Sequence, residues 1–118
     1  MKIKTSELEG DALERLVAKC NGISREDYYE TFNEPYTPSI DWAQGGPIIE
    51  REFISIFDLP SGIDVTQHPT FTEGDLWEAE ICPTGEDSIR YCGPTPLIAA
   101  MRCYVASKLG DEVDVPDL

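Results

Sequence analysis

The side chains best suited to acid–base, nucleophilic or metal chemistry are few in this chain. His68 is the only histidine, and Asp64 and Asp75 are the carboxylates near it. A zinc site needs three or four ligands. The cysteines lack the paired spacing typical of such sites. They are Cys20, Cys82, Cys92 and Cys103. A nucleophilic dyad would have to use His68 itself as the base. We therefore expect a surface His68, no catalytic residue, no metal and no cofactor. The cysteines should be reduced, small apolar side chains, with a disulfide as the alternative.

The beginning of the last predicted helix is the first candidate for a binding site. Thr95 is placed to cap this helix and Pro96 to occupy its first turn. Free backbone N–H groups and the helix dipole favour an anion there. The first turn carries no acid, and Arg90 and Arg102 would add positive charge if they turn toward it. The simpler alternative is that Thr95 satisfies the donors and nothing else binds.

The second candidate is the segment 41–47, within a loop that the lost periodicity and the prolines and glycines predict from residue 23 to residue 47. Its ligand-binding residues would be Trp42, Gln44, Gly45 and Gly46, together with Tyr36 from the preceding part of the loop. Paired glycines permit close backbone approach, and aromatic rings can stack on a base. The alternative is a tight turn in which Trp42 only covers the core. If the two candidate segments meet in space, they would form a pocket for a small nucleotide-like ligand.

Acidic residues dominate the charge of the chain. It has 23 acidic against 9 basic residues and a net charge of −14, which disfavours direct binding to nucleic acid or to an anionic membrane. The charge indicates either a well-solvated surface or an imitation of nucleic-acid phosphate that occupies a basic partner. No apolar run approaches the roughly 20 residues of a membrane span, and the N-terminus does not resemble a secretory signal. We expect a soluble, intracellular protein.

The remaining pattern predicts a small α+β fold in a single domain, 1–118. A short edge strand over Met1–Thr5 precedes an amphipathic helix that ends at Asn21-Gly22. A brief helical turn is predicted over Ile48–Glu52 and a strand over Phe53–Leu59. A turn-rich stretch then continues to Asp75.

A β-hairpin is the clearest strand signal, and it links Leu76–Cys82 with Ser88–Cys92. The register that collects the apolar side chains on one face has the pairs Ile81–Ile89, Ala79–Tyr91 and Glu80–Arg90. The last helix, ending before Gly110, is nearly apolar all round. It should be the most buried element, either central in the domain or at the contact of a homodimer. We expect an antiparallel sheet built on the hairpin and packed by the N-terminal and C-terminal helices.

Four segments carry a family resemblance: Tyr36–Glu52, Gly93–Val113, Met1–Leu8 and Val17–Gly22. They resemble the NinX-like proteins of lambdoid bacteriophages. The matching segments cover far more of the chain than a short motif does, and residues 53–75 fall outside them. The resemblance implies a phage accessory protein made in the host bacterial cytoplasm. It implies no activity and no catalytic residue.

These observations together favour a protein that acts by binding and not by catalysis. The first hypothesis is a phage accessory protein that sequesters a small, anionic, nucleotide-like signal and so counters a host defence. The second is an acidic protein inhibitor that mimics nucleic acid and occupies a basic host protein. The first predicts a pocket with Trp42 and Thr95, and the second predicts a carboxylate surface.

Overall fold

The computed structural model describes residues 2–23, 36–59, 64, 68, 70–82 and 87–115. In chain order, the elements are β1 (Lys2–Lys4), a 3-10 turn (Thr5–Glu7), α1 (Gly10–Cys20), α2 (Trp42–Glu52), β2 (Ser55–Asp58), β3 (Trp77–Ile81), β4 (Ile89–Gly93), α3 (Pro96–Leu109) and β5 (Glu112–Asp114). Residues 24–35 of the predicted loop, 83–86 of the hairpin connection and most of 60–69 lie outside the described residues. Among the described helices, none has the length and apolar character needed to cross a bilayer.

A three-stranded antiparallel sheet in the order β2–β3–β4 forms the centre of the fold. The predicted hairpin register is confirmed: Ile81 pairs with Ile89, Ala79 with Tyr91 and Glu80 with Arg90. β2 adds to the free edge of β3, pairing Ile56 with Ala79. Alternate residues of each strand point to the same side of the sheet. This register therefore collects the apolar side chains on one face, which is buried. The α+β fold class predicted from the sequence is therefore confirmed.

Helix α3 lies against the apolar face of the sheet and is the most buried helix. Its side chains from Ala99 to Val105 are almost completely inaccessible to solvent, and α1 packs against it through Leu13, Leu16 and Val17. Gly110 ends the helix in a positive-φ conformation (φ 92°) that disfavours side chains. The central position predicted as one alternative accounts for the apolar composition of α3 within a single chain.

The first and last strands form a second, two-stranded sheet. β1 pairs antiparallel with β5, which places Lys2 opposite Asp114 and Lys4 opposite Glu112. The buried Thr5 extends the contact, because its N–H donates to Asp111 O at 2.9 Å and its Oγ1 to Gly110 O at 2.7 Å. The strand at the N-terminus was predicted. Its partner β5 was not predicted. The residues of β5 belong to an acidic segment that by itself resembles solvated chain, and the lysines opposite them are more than 100 positions away in the sequence.

Helix α2 corrects the prediction of a loop that extends to Pro47. Asp41 caps the helix, since its carboxylate accepts from the N–H of Ala43 at 3.0 Å. The segment from Gly45 to Pro47 therefore lies inside a helix and does not form a tight turn. Glycine and proline have the lowest helix propensities, so local preference alone disfavours a helix here. The helical turn predicted over Ile48–Glu52 is the end of this longer helix.

Candidate ligand-binding groove

A groove of about 210 Å³ lies where the beginning of α2 meets the beginning of α3. It is lined by Ser39, Ile40, Trp42, Thr95, Pro96 and Leu97. The two segments singled out from the sequence therefore meet in space. The exposed large apolar side chains that line the groove are those of Ile40 and Trp42, with relative exposures of 70% and 54%. Large apolar side chains this exposed are typical of binding surfaces when they border a concavity.

Close packing at Gly45 brings the two helices together. A Cβ atom at this position would overlap the carbonyl oxygen of Pro38 and lie 2.7 Å from Leu97 Cδ2. Glycine is thus required by the close approach of the Pro38 backbone and of the Leu97 side chain of α3, and not by a turn. Gly46, by contrast, has open space where a Cβ would lie. The paired glycines have separate roles, and only Gly45 positions the groove.

Gln44 and Asp41 hold the chain that forms one wall of the groove. Gln44 Oε1 accepts from the N–H of Thr37 at 2.7 Å, and its amide Nε2 donates to Asp41 Oδ2 at 3.1 Å. Glu14 fixes the same wall from α1, because its carboxylate accepts from Ser39 N–H at 3.0 Å. Burial raises the pKa of Glu14, an effect that the hydrogen bonds with Ser39 partly offset. Gln44 is therefore a positioning residue for the groove and does not line it.

None of the described residues that line the groove is acidic, although the chain carries a net charge of −14. The first turn of α3 also lacks an acid. Thr95 Oγ1 accepts from Ile98 N–H at 3.1 Å, and Pro96 has no N–H to offer. Within the described residues, no hydrogen bond uses Leu97 N–H. One backbone donor and the positive end of the helix dipole thus remain for an anion.

Thr95→Ala should lower the free energy of unfolding by about 1 kcal/mol, because the cap on Ile98 N–H is lost. Urea denaturation of the two proteins measures this difference. Thr95→Ser provides the matched control, since a serine hydroxyl caps as well as that of threonine. Equal stability of Thr95→Ala and the wild type would show that the hydroxyl does not hold the helix terminus.

The structure does not bring every predicted site residue to the groove. Trp42 and Thr95 line it, and Gly45 lies beneath it. Tyr36 is buried, and its hydroxyl accepts from Asn21 Nδ2 at 2.8 Å. Arg90 is exposed on the opposite face of the sheet, where its Nε donates to Glu80 Oε2 at 2.8 Å. Neither of these two residues is among the groove's lining residues.

Arg102 is part of the core and not of the groove. Only 4% of the residue is exposed. Its Nε donates to Leu8 O at 2.7 Å, its guanidinium also donates to Cys92 O at 2.9 Å, and Asp75 Oδ1 lies 3.7 Å away. Burial lowers the pKa of Arg102, an effect that the Asp75 carboxylate opposes. The guanidinium connects the N-terminal segment, β4 and the turn before β3.

A second polar cluster, on the sheet face opposite α3, was not predicted. It consists of His68, Glu78 and Cys92, whose ligand-type atoms all lie within 4.8 Å of one another. His68 was expected at the surface, but its side chain is only 18% exposed. The predicted hairpin register already implied one contact of this cluster, since the pairing of Ala79 with Tyr91 also places Glu78 opposite Cys92. Nothing in the sequence indicated that His68 returns to the same face.

Comparison with models of known protein families identifies the family of the chain. The family model described as bacteriophage P22 NinX matches residues 4–108, which include α1, α2, the three-stranded sheet, both walls of the groove and all of α3 except its last residue. No curated protein matches the chain.

Proposed function

We propose that this chain, which belongs to the NinX family of bacteriophage proteins, acts by binding a small nucleotide-like anion in the groove between α2 and α3. The observation that carries the proposal is the position of Trp42 beside the beginning of α3. An exposed indole is suited to stacking on a base. A helix N-terminus is suited to a phosphate. The base of a nucleotide would thus contact the Trp42 indole, and its phosphate would lie at the nearby N-terminus of α3.

The size and charge of the groove support a small ligand of this kind. A volume of about 210 Å³ is below the roughly 300–1,000 Å³ typical of sites that enclose a whole drug-sized molecule. The groove would therefore hold a base or a phosphate-bearing part of a mononucleotide or cyclic nucleotide, with the remainder in solvent. The net charge of −14 repels polyanions, so the low charge of a small ligand is an advantage.

The biological setting of the proposal comes from the family. A phage protein made in the host bacterial cytoplasm that holds a nucleotide-like signal would lower the free concentration of that signal and so counter a host defence. No reaction is required of the chain, because sequestration depends only on affinity and on the amount of protein. We therefore propose a non-enzymatic binding protein.

Trp42→Ala should weaken binding of the nucleotide by about 5- to 150-fold, which corresponds to the loss of about 1–3 kcal/mol of base stacking. Isothermal titration with a panel of mononucleotides and cyclic nucleotides measures the affinity. Phe57→Ala is the matched control, because Phe57 is 48% exposed but lies on β2, outside the groove. Trp42 is exposed, so its removal should leave the circular dichroism spectrum unchanged.

Two results would contradict this proposal: no nucleotide in the panel binds the wild type, or Trp42→Ala binds as tightly as Phe57→Ala. In that case the alternative of a nucleic-acid mimic that occupies a basic host protein takes its place. The exposed carboxylates of Glu7, Glu9 and Asp111 support that alternative. The pairing of lysines with acids across β1 and β5 weakens it, because it partly neutralises one acidic strand.

A further inference from the structure

We infer that His68, Glu78 and Cys92 form a binding site for one zinc ion, separate from the groove. The three side chains supply an imidazole nitrogen, a carboxylate oxygen and a thiol sulfur, which are the ligand types that zinc takes in proteins. They come from three parts of the chain, namely the segment before β3, β3 itself and β4. A single ion would join all three.

The three ligand atoms lie within 4.8 Å of one another, and two of the distances between them can be compared with those around a zinc ion. Zinc bonds of about 2.0–2.3 Å in a tetrahedral arrangement place the ligand atoms about 3.3–3.8 Å apart. Cys92 Sγ lies 3.7 Å from Glu78 Oε2, which is within that range. His68 Nδ1 lies 2.7 Å from the same oxygen, in a hydrogen bond that would lengthen by less than about 1 Å on metal binding.

A bound cation would stabilise this site more than an exposed one, because two of its three ligands are buried. Glu78 is 5% exposed and Cys92 is completely buried. A buried carboxylate needs a partner charge or hydrogen bonds, and here it receives one hydrogen bond from the thiol and another through His68. Burial also raises the pKa of Cys92 to about 11, so the thiol keeps its proton when no metal is present. A divalent cation would lower that pKa and neutralise the site.

Zinc binding releases one proton overall. Zinc binds the sulfur of Cys92 as the S–H bond breaks, and that proton leaves to solvent. Nδ1 of His68, which donates to Glu78 in the metal-free site, also gives its proton to solvent while Nε2 takes one up, so the imidazole stays neutral and its Nδ1 lone pair binds the metal. The ligand set of one sulfur, one nitrogen and one oxygen favours zinc over magnesium or calcium, which prefer oxygen alone.

Within the residues that the structure describes, three side chains can act as ligands, which leaves one position of a tetrahedral ion open. Asp75 interacts electrostatically with Cys92, but its Oδ2 accepts from the backbone and hydroxyl of Thr72, and its Oδ1 faces Arg102. A water molecule therefore completes a tetrahedral ion. Three protein ligands and a water are the arrangement of zinc sites that can also accept a further ligand.

Titration with Co²⁺ under reducing conditions tests the site, because cobalt occupies zinc sites and gives a thiolate-to-metal absorption band. The wild type should saturate at one equivalent and lose the band when Zn²⁺ is added. Cys92→Ser should show no band. Cys82→Ser is the matched control, since Cys82 is an exposed thiol at the end of β3 and should leave the band unchanged.

His68→Ala provides a second test that does not alter the core, because His68 is partly exposed. It should weaken cobalt binding by at least about tenfold, since even the loss of a residue behind a metal ligand costs 10- to 100-fold. Absence of saturable binding in the wild type, a thiolate band that persists in Cys92→Ser, or equal affinity in His68→Ala and the wild type would overturn the proposal. If Cys92→Ser does not fold, the affinity of His68→Ala decides.

Discussion

Replacing Arg102 with methionine should lower the free energy of unfolding by about 3–5 kcal/mol, the range seen when one partner of a buried charge pair is removed. Methionine retains much of the aliphatic volume but donates no hydrogen bond. The carbonyl oxygens of Leu8 and Cys92 would lose their donor, and the 7% exposed Asp75 would remain as a buried carboxylate without its guanidinium. Urea denaturation followed by circular dichroism measures the change.

Arg90→Met is the matched control for this substitution. Arg90 also pairs with a carboxylate, that of Glu80, but its side chain is 49% exposed. Exposed ion pairs contribute about 0–1 kcal/mol, so this variant should unfold close to the wild-type midpoint. The structural role assigned to Arg102 would be wrong if the two variants had the same stability. A decrease confined to nucleotide binding would instead place Arg102 in the ligand site proposed from the sequence.

Gly45→Ala and Gly46→Ala should change stability in opposite directions although the residues are neighbours. At Gly45 the new methyl group would overlap Pro38 O and press on Leu97, and overpacking of this kind costs about 1–3 kcal/mol. At Gly46 nothing lies within 4 Å of the new atom. Alanine there should stabilise α2 by about 0.5–1 kcal/mol, because glycine is a poor helix former.

Denaturation midpoints of the two glycine variants measure this difference, with the circular dichroism signal as the check that both remain folded. The Gly45 variant should also bind the proposed nucleotide more weakly, since the methyl group would push α2 away from the beginning of α3. If both substitutions were stabilising, α2 and α3 would not be in the close contact that forms the groove.

The sequence predicted the parts of the fold that depend on local signals. The hairpin register followed from the alternation of apolar side chains along β3 and β4 and is confirmed. The caps of α3 followed from Thr95, Pro96 and Gly110, residue types whose effects act within one turn of a helix. The nearly apolar composition of α3 predicted that it is the most buried element, with a central position and a homodimer contact as the two alternatives.

The features that were missed depend on contacts distant in sequence. Helix α2 forms through Gly45 and Pro47 because packing against α3 outweighs poor helix propensity. In the sequence, Arg102 is a cation that a ligand could bind. In the structure, its guanidinium donates instead to the carbonyl oxygens of Leu8 and Cys92. His68 has no neighbour in sequence that predicts its contact with Glu78. The two segments that form the groove walls were predicted as separate candidate sites. The sequence did not predict that they lie side by side.

The pairing of β1 with β5 has a consequence for the newly made chain on the ribosome. Synthesis begins at the N-terminus, so Lys2–Lys4 emerges first among the described strands and its partner, Glu112–Asp114, emerges last. The first strand therefore remains without its partner until the residues between the two strands have been translated. Its two lysines protect this exposed edge during that interval, because charged side chains discourage pairing with foreign strands. The acids of β5 then neutralise these lysines when translation has reached Asp114.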